Sequence, residues 1–198
     1  MQFDIEQQRI IDAILKRKYD IVSIDASAGT GKSTIIHHLK KVVHNTVVGC
    51  PTGQAASIVG GVTIHSLFGI PTLGTIDPAR DVSVGTIRAR QKETRFFARR
   101  QKGTEIRPKI ETLKAIRLLI LDEVGMIRCD HFDFIDKALR DALKQPRLAF
   151  GGVQVALFGD CGQLSSIADD KQTASLKKLG YTEPFGFNES AILRDLPA

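Results

Sequence analysis

The chain has 198 residues, 42% of them hydrophobic, and a net charge of +6. That is enough for one domain with a core of its own, and no apolar run approaches the ~20 residues needed to cross a bilayer, so no membrane partner is expected. Cys50, Cys129 and Cys161 are scattered and form no CxxC pair, which excludes a disulfide framework and a structural zinc site. With a polar opening at Met1–Glu6 unlike a signal peptide, an intracellular, reducing compartment is expected, cytoplasmic in a prokaryotic or viral source.

The segment IEQQRIIDAILKRK puts its isoleucines largely on one face and reads as an amphipathic helix. DIVSIDA is a short β-branched strand, followed by a glycine-rich turn and the helix STIIHHLKKVVH. NTVVGCP reads as a second strand. TGQAASIVG reads as a short helix stopped by Gly60 and Gly61, and TIHSLFGI as a helix or turn. Between residues 71 and 115 the pattern is weak and punctuated by Gly74, Pro78, Gly85, Gly103 and Pro108. IRLLILDEV then reads as an apolar strand, HFDFIDKALRDALKQ as an amphipathic helix and VQVALFGD as another apolar strand. Apolar strands alternating with helices predict an α/β fold: a parallel sheet covered by helices on both faces.

Charge is concentrated in the weakly patterned stretch. Between Arg80 and Arg117 twelve basic residues stand against four acidic ones, a local charge of +8 that leaves −2 for the rest. Such a segment points to an anionic partner. It is expected to form a basic inserted loop or hairpin near 71–115.

The strongest motif runs from Ala26 to Ser33, ASAGTGKS. It follows the G-x-x-x-x-G-K-[ST] phosphate loop, with Ala26 at the first glycine, and it lies between a strand and a helix as the motif requires. Ala28, Gly29, Thr30, Gly31, Lys32, Ser33 and Thr34 are the candidate nucleotide-binding residues. Backbone N–H groups at a helix start can wrap a phosphate. Lys32 would reach the β- and γ-phosphates of a bound nucleotide, and the Ser33 hydroxyl would ligate Mg²⁺.

The strand LLIL leads straight into Asp122 and Glu123. At the carboxyl edge of the same sheet, Asp122 can join the Mg²⁺ shell and Glu123 can take a proton from an attacking water. The paired acids favour hydrolysis over phosphoryl transfer to a small molecule. Residues 122–125 also fit the DxxG of a GTPase, but the only asparagines, Asn45 and Asn188, do not begin an N-K-x-D guanine motif. Gln163 follows a third apolar strand and could touch the γ-phosphate or polarise water.

Five blocks together, EQQRIIDAI, ASAGTGKST, PTGQAASIVGGVTIHSLFGI, LLILDEVGMI and GGVQVALFGDCGQL, resemble the first RecA-like motor domain of superfamily 1 helicases of the PIF/RecD-like branch, which move 5′ to 3′. The resemblance covers nearly the whole chain except 71–115. It implies a RecA-like P-loop NTPase domain, an ATP-dependent DNA helicase activity, and ATP with Mg²⁺ as cofactors. Gln7 resembles the glutamine that reads the adenine edge. Thr52, Gly53, Ala55, Thr63, His65 and Ser66 resemble the set that lines the path of single-stranded DNA, and Lys32, Asp122, Glu123 and Gln163 take the catalytic roles. The basic stretch, with Phe96 and Phe97 available for stacking, occupies the place of an inserted element that meets single-strand/duplex junctions in relatives.

Ala26, Gly125 and the Ser165-Ser166 pair depart from the family pattern without removing a catalytic group. A motor of this type also needs a second RecA-like domain, expected from the rest of a longer chain or from a partner. Two other classes remain: a P-loop module that binds single-stranded nucleic acid without motor activity, and a protein-remodelling ATPase ring, which predicts hexamers indifferent to DNA. The 198-residue chain alone is expected to hydrolyse ATP slowly and to unwind nothing. Strand separation by the purified chain in a fork-unwinding assay contradicts that expectation.

Overall fold

The computed structural model describes residues 3–27, 29–72, 74–83, 85–87, 89–90, 110–160, 168–182 and 186–194. Five strands, β1 (Ile21–Asp25), β2 (Thr46–Cys50), β3 (Val62–Thr63), β4 (Leu118–Leu121) and β5 (Gln154–Gly159), form one all-parallel sheet in the order β1-β5-β4-β2-β3. The helices are α1 (Ile5–Leu15), α2 (Lys32–Val42), α3 (Gly53–Val59), α4 (Ile64–Phe68), α5 (Pro78–Asp81), α6 (Ile110–Ala115), α7 (Cys129–Leu143), α8 (Asp170–Lys178) and α9 (Ala191–Arg194).

The alternation of side chains along the central strands splits the core in two. Leu118 and Ile120 of β4, with Ala156 and Phe158 of β5, pack against α1, α2 and α3. Leu119 and Leu121, with Val155 and Leu157, face α4, α6 and α7. Both strands are therefore buried along their whole length, as an apolar run in a parallel sheet requires.

The insertion is more ordered at its flanks than the sequence suggests. Its described parts include α5, helical residues 85–87 and α6, and Ile76 and Ile87 are buried in the core beside α4 and α7. Weak periodicity hid them because the turns are short and none supplies more than two core residues, α5 none at all. Eight of the twelve basic residues, together with Phe96 and Phe97, lie outside the described residues.

Helix α7 carries an unexpected stripe. Its pattern reads as amphipathic, yet Asp130, Asp133 and Asp136 are all buried. Each is satisfied by the backbone of a different segment. Asp130 accepts from the Ile76 N–H at 2.9 Å, and Asp136 from the Phe150 N–H at 2.6 Å. Asp133 accepts from the N–H groups of Ala191 and Ile192 at 2.8 and 3.1 Å and from the Tyr181 hydroxyl at 2.8 Å. Buried carboxylates persist only when bonded in this way.

The turn before β5 is held by this stripe. Phe150 has φ of 49° and Gly151 has φ of 64°. A Cβ on Gly151 would stand 2.7 Å from the Leu139 carbonyl oxygen and 2.9 Å from Leu143 Cδ1. Gly151→Ala is therefore expected to destabilise the fold by roughly 2–4 kcal/mol, combining backbone strain with a clash against helix backbone. Urea denaturation midpoints check this, and a loss below about 0.5 kcal/mol contradicts the packing described.

Candidate nucleotide and nucleic-acid site

The loop after β1 leads into α2 through Gly29 and Gly31, at φ of 83° and 87°. Gly31 is the N-cap of α2 and offers no side chain to the first turn, whereas Asp4, Thr52, Thr63 and Asp169 cap α1, α3, α4 and α8. The N–H groups of residues 29–33 thus have no protein acceptor among the described residues. A helix start left open in this way suits an anion. Ala26 is absent from the positive-φ residues, so the backbone angles its replacement of glycine requires are met.

The loop is tied down at several points. The Thr30 hydroxyl donates to the Ser27 carbonyl at 2.9 Å, and the Thr34 N–H to Gly31 at 3.0 Å. Lys32 Nζ donates to the carbonyls of Ala26 and, at 3.3 Å, Ser27. Ser33 is exposed at the first turn. Gln7 closes the loop from α1. Its Nε2 donates to the Thr30 carbonyl at 3.0 Å, while its Oε1 accepts from the Asp4 N–H at 3.2 Å in a capping box. A Cβ on Gly31 would lie 2.6 Å from Gln7 Nε2, a side-chain end that could swing away at the cost of its bond to Thr30, so it is the positive φ that calls for glycine here.

Sheet order puts the acidic pair near this loop. β5 lies between β1 and β4, so the two chain ends are two strand spacings apart, about 10 Å. The Asp122 N–H still donates to the Gly49 carbonyl at 3.0 Å, extending the ladder by one residue. Asp122 is buried, and its Oδ1 accepts from the Glu123 N–H at 3.0 Å. Glu123 has φ of 53° and ψ of 44°, a left-handed conformation that is strained for a residue with a side chain. The chain turns there immediately after the strand, and Val124 packs against Gly159 of β5, where a Cβ would meet Val124 Cγ1 at 2.8 Å. Gly125 is different: a Cβ there meets its nearest neighbour at 3.7 Å, so a small side chain would fit.

Burial raises the Asp122 pKa above the usual 3.8; the Glu123 N–H opposes this, the Glu123 charge adds to it, and the Lys32 charge opposes it. Lys32 and Asp122 therefore feel one another across the edge of the sheet. Cys50 ends β2 beside the same acids, and burial pushes its thiol up to about 12, with Asp122 and Glu123 adding to the effect. It is an inert core thiol.

The nucleic-acid candidates sit at the starts of α3 and α4. Thr52 Oγ1 accepts from the Ala55 N–H at 3.2 Å, and Thr63 Oγ1 from the Ser66 N–H at 3.2 Å. Thr63 Oγ1 also donates to Ser66 Oγ at 3.1 Å. These hydroxyls are first of all helix caps, a use the sequence motif does not reveal. Gly53 is exposed, with open space where a Cβ would stand. His65 is half-buried, and burial first, then the Arg128 charge, lower its pKa. Ala28 and Gln163 lie outside the described residues.

One cluster went unread in the sequence. Arg128, at the end of the turn that follows Glu123, pairs with Asp130 through Nε to Oδ1 at 2.7 Å and Nη2 to Oδ2 at 2.8 Å. Nη2 also donates to the Gly74 carbonyl at 2.8 Å; both of its hydrogens are then engaged, and His131 Nε2, at 3.1 Å, shares one of them. The signal was present as IRCDHF, charges crowded into an otherwise apolar helix start.

The protein-family comparison matches a PIF1-like helicase model over residues 2–180. The chain belongs to the PIF1-like helicase family. It is 34% identical over 154 residues to the ATP-dependent DNA helicase PIF6 of Trypanosoma brucei brucei, covering 76% of this chain and 17% of that protein. Among solved structures it resembles Bacteroides Pif1 bound to single-stranded DNA, with a TM-score of 0.75 and 34% identity over 97% of this chain and 39% of that one. The complex of Bacteroides sp Pif1 with ADP-AlF4 matches with a TM-score of 0.76 and 33% identity, again over 97% of this chain and 39% of that one. The fold is thus the RecA-like one of the family, and the chain spans well under half the length of these relatives.

The raised Asp122 pKa has a measurable consequence. The folded chain holds this proton to higher pH than the unfolded chain does. The stability it contributes is full below pH 3.8 and declines as pH rises through the folded value. Asp122→Asn keeps the oxygen that accepts from Glu123 and removes the charge. It is expected to raise thermal stability at pH 7 and to lose that advantage below pH 3.8, as read from melts across this range.

Proposed function

We propose that this chain is the first motor domain of an ATP-dependent DNA helicase that moves 5′ to 3′ on single-stranded DNA. The observation that carries the reading is one sheet edge bearing both an uncapped helix start with Lys32 and the Asp122–Glu123 pair, within reach of the Lys32 charge. Membership of the PIF1-like family supports the helicase class.

In this reading the N–H groups of residues 29–33 hold the β-phosphate, and Lys32 leaves its two carbonyl partners to bond the β- and γ-phosphates. Gln7 keeps one amide hydrogen and one oxygen lone pair beyond its present bonds, enough to read an adenine edge. Glu123 takes the proton of the attacking water, and Gln163 contacts the γ-phosphate. Ser33 and Asp122 would hold Mg²⁺, which supplies charge neutralisation at the phosphates. The donor set fits: one hydroxyl with one carboxylate is the partial shell this cation takes beside phosphate and water. Among the described residues buried Asp122 accepts one hydrogen bond, at Oδ1, leaving Oδ2 for that role.

The starts of α3 and α4 form the single-stranded DNA track. Helix N–H groups at Gly53 and the Ser66 hydroxyl proton meet phosphate oxygens, and His65 lies against a base or sugar. The basic insertion faces junctions between single strand and duplex. A second RecA-like domain would complete the ATP site with arginines, a contribution typically worth about 10³–10⁵ in rate in comparable phosphoryl transfers. The greater length of the relatives supports that part of the reading. No observation favours a binding module without motor activity over it.

The purified chain is expected to bind ATP and a single-stranded oligodeoxynucleotide with little turnover. Lys32→Ala should abolish nucleotide binding and spare DNA binding. Hydrolysis strongly stimulated by DNA and lost in Lys32→Ala would mean the chain completes its own site. Failure to bind either ligand would overturn the proposal.

A further inference from the structure

Behind His65 lies a built side-chain assembly with no role in the chemistry above. Among the described residues no hydrogen bond reaches the His65 ring. Its ring contact is His131 of α7, edge to face, with centroids 5.4 Å apart and planes at 85°. His131 in turn lies against Arg128, whose Nη2 stands 3.1 Å from Nε2 and can share with it a hydrogen that also serves Asp130 or Gly74. A guanidinium only donates, so Nε2 accepts and the ring carries its proton on Nδ1. Arg128 is itself immobilised by the bidentate Asp130 pair and by the Gly74 carbonyl, with the Asp130 side chain fully buried.

We infer that His131, held by the Arg128–Asp130 pair, is a positioning residue that sets the ring of His65 in the DNA track. The inference rests on the proposed role of His65. Arg128 lies on the turn that begins at Glu123, so the same pair joins the end of the acidic motif to the strand-binding edge. Neutral rings suit this arrangement, since an edge-to-face pair of imidazolium ions would repel. Burial, with Arg128 and His65 adding and Asp130 opposing, holds His131 down at about 4. Truncating His131 does not strand the guanidinium, which keeps Asp130 and Gly74.

Three substitutions separate the ring contact from the hydrogen bond. His131→Ala removes both, His131→Gln keeps an acceptor for Arg128 without a ring, and His131→Phe keeps a ring without the acceptor. Fluorescence anisotropy with a labelled oligo-dT measures DNA affinity, a labelled ATP analogue measures nucleotide affinity, and thermal melts report folding. The Ala and Gln variants are expected to lose roughly fivefold or more in DNA affinity, the Phe variant to stay within about twofold, and nucleotide affinity to stay unchanged in all three. Equal DNA affinity in all folded variants overturns the inference. So does rescue by Gln and not by Phe, which would assign the effect to the hydrogen bond. If the unsubstituted chain binds no DNA, the proposed function fails and takes this inference with it; if it binds DNA and the variants match it, only the inference fails.

Discussion

Buried charge on α7 organises this fold. Asp130, Asp133 and Asp136 sit one helical turn apart on a face that a simple amphipathic pattern assigns to solvent, and each accepts backbone N–H groups from a segment far away in sequence. An unpaired carboxylate in such surroundings costs several kcal/mol, so each segment must arrive correctly for the helix to pack at all. One helix thereby fixes the start of the basic insertion at Ile76, the turn into β5 at Phe150 and the last described helix at Ala191. The Asp136 carboxyl shows the tension in this design: burial raises its pKa although Phe150 and Arg140 both favour its charged form.

The other organising constraint is the parallel sheet itself. Because every strand runs the same way, every strand-to-helix turn falls on one edge, and all candidate chemistry collects there. α2, α3 and α4 begin at or beside that edge with three different N-termini. Two are capped by threonine hydroxyls, and one is left open by Gly31. The contrast is physically meaningful. In α3 and α4 the cap takes one N–H of the first turn, that of Ala55 or Ser66, whereas the open end of α2 has them all available. The capping threonines instead hold α3 and α4 at fixed entry angles, which keeps Gly53 and His65 at the rim.

Strain marks the same edge. Glu123 adopts positive φ without being glycine where β4 ends on that edge, and Phe150 does so at the opposite edge, before β5 begins. At Glu123 the turn swings the chain away as soon as β4 ends, so that the carboxylates of residues 122 and 123 point from one short corner rather than from successive strand positions. Such a conformation persists only because Val124, packed into the notch left by Gly159, holds it.

How much was legible beforehand follows from the range of each interaction. The strands, the phosphate-loop helix and the α/β class were readable because local periodicity and the glycine, lysine and serine of residues 29–33 act within a few residues of chain. The family followed from motifs of the same short range. The acidic pair at Asp122 and Glu123 was readable as a motif, but not that β5 would separate it from the phosphate-loop strand, because strand order is decided by which faces must be covered. The buried role of Asp130, Asp133 and Asp136, the capping use of Thr52 and Thr63, and the contact of His65 with His131 were beyond the sequence. The threonine caps are local, three residues ahead of the hydroxyl, but the carboxylates and the histidine pair depend on partners 14 to 66 positions away meeting in a desolvated space, and desolvation is what turns an ordinary charge or ring into a fixed one. The sequence alone determined which groups the chain carries to the sheet edge; only the tertiary structure decided which remain open to a ligand and which are consumed in holding the edge together.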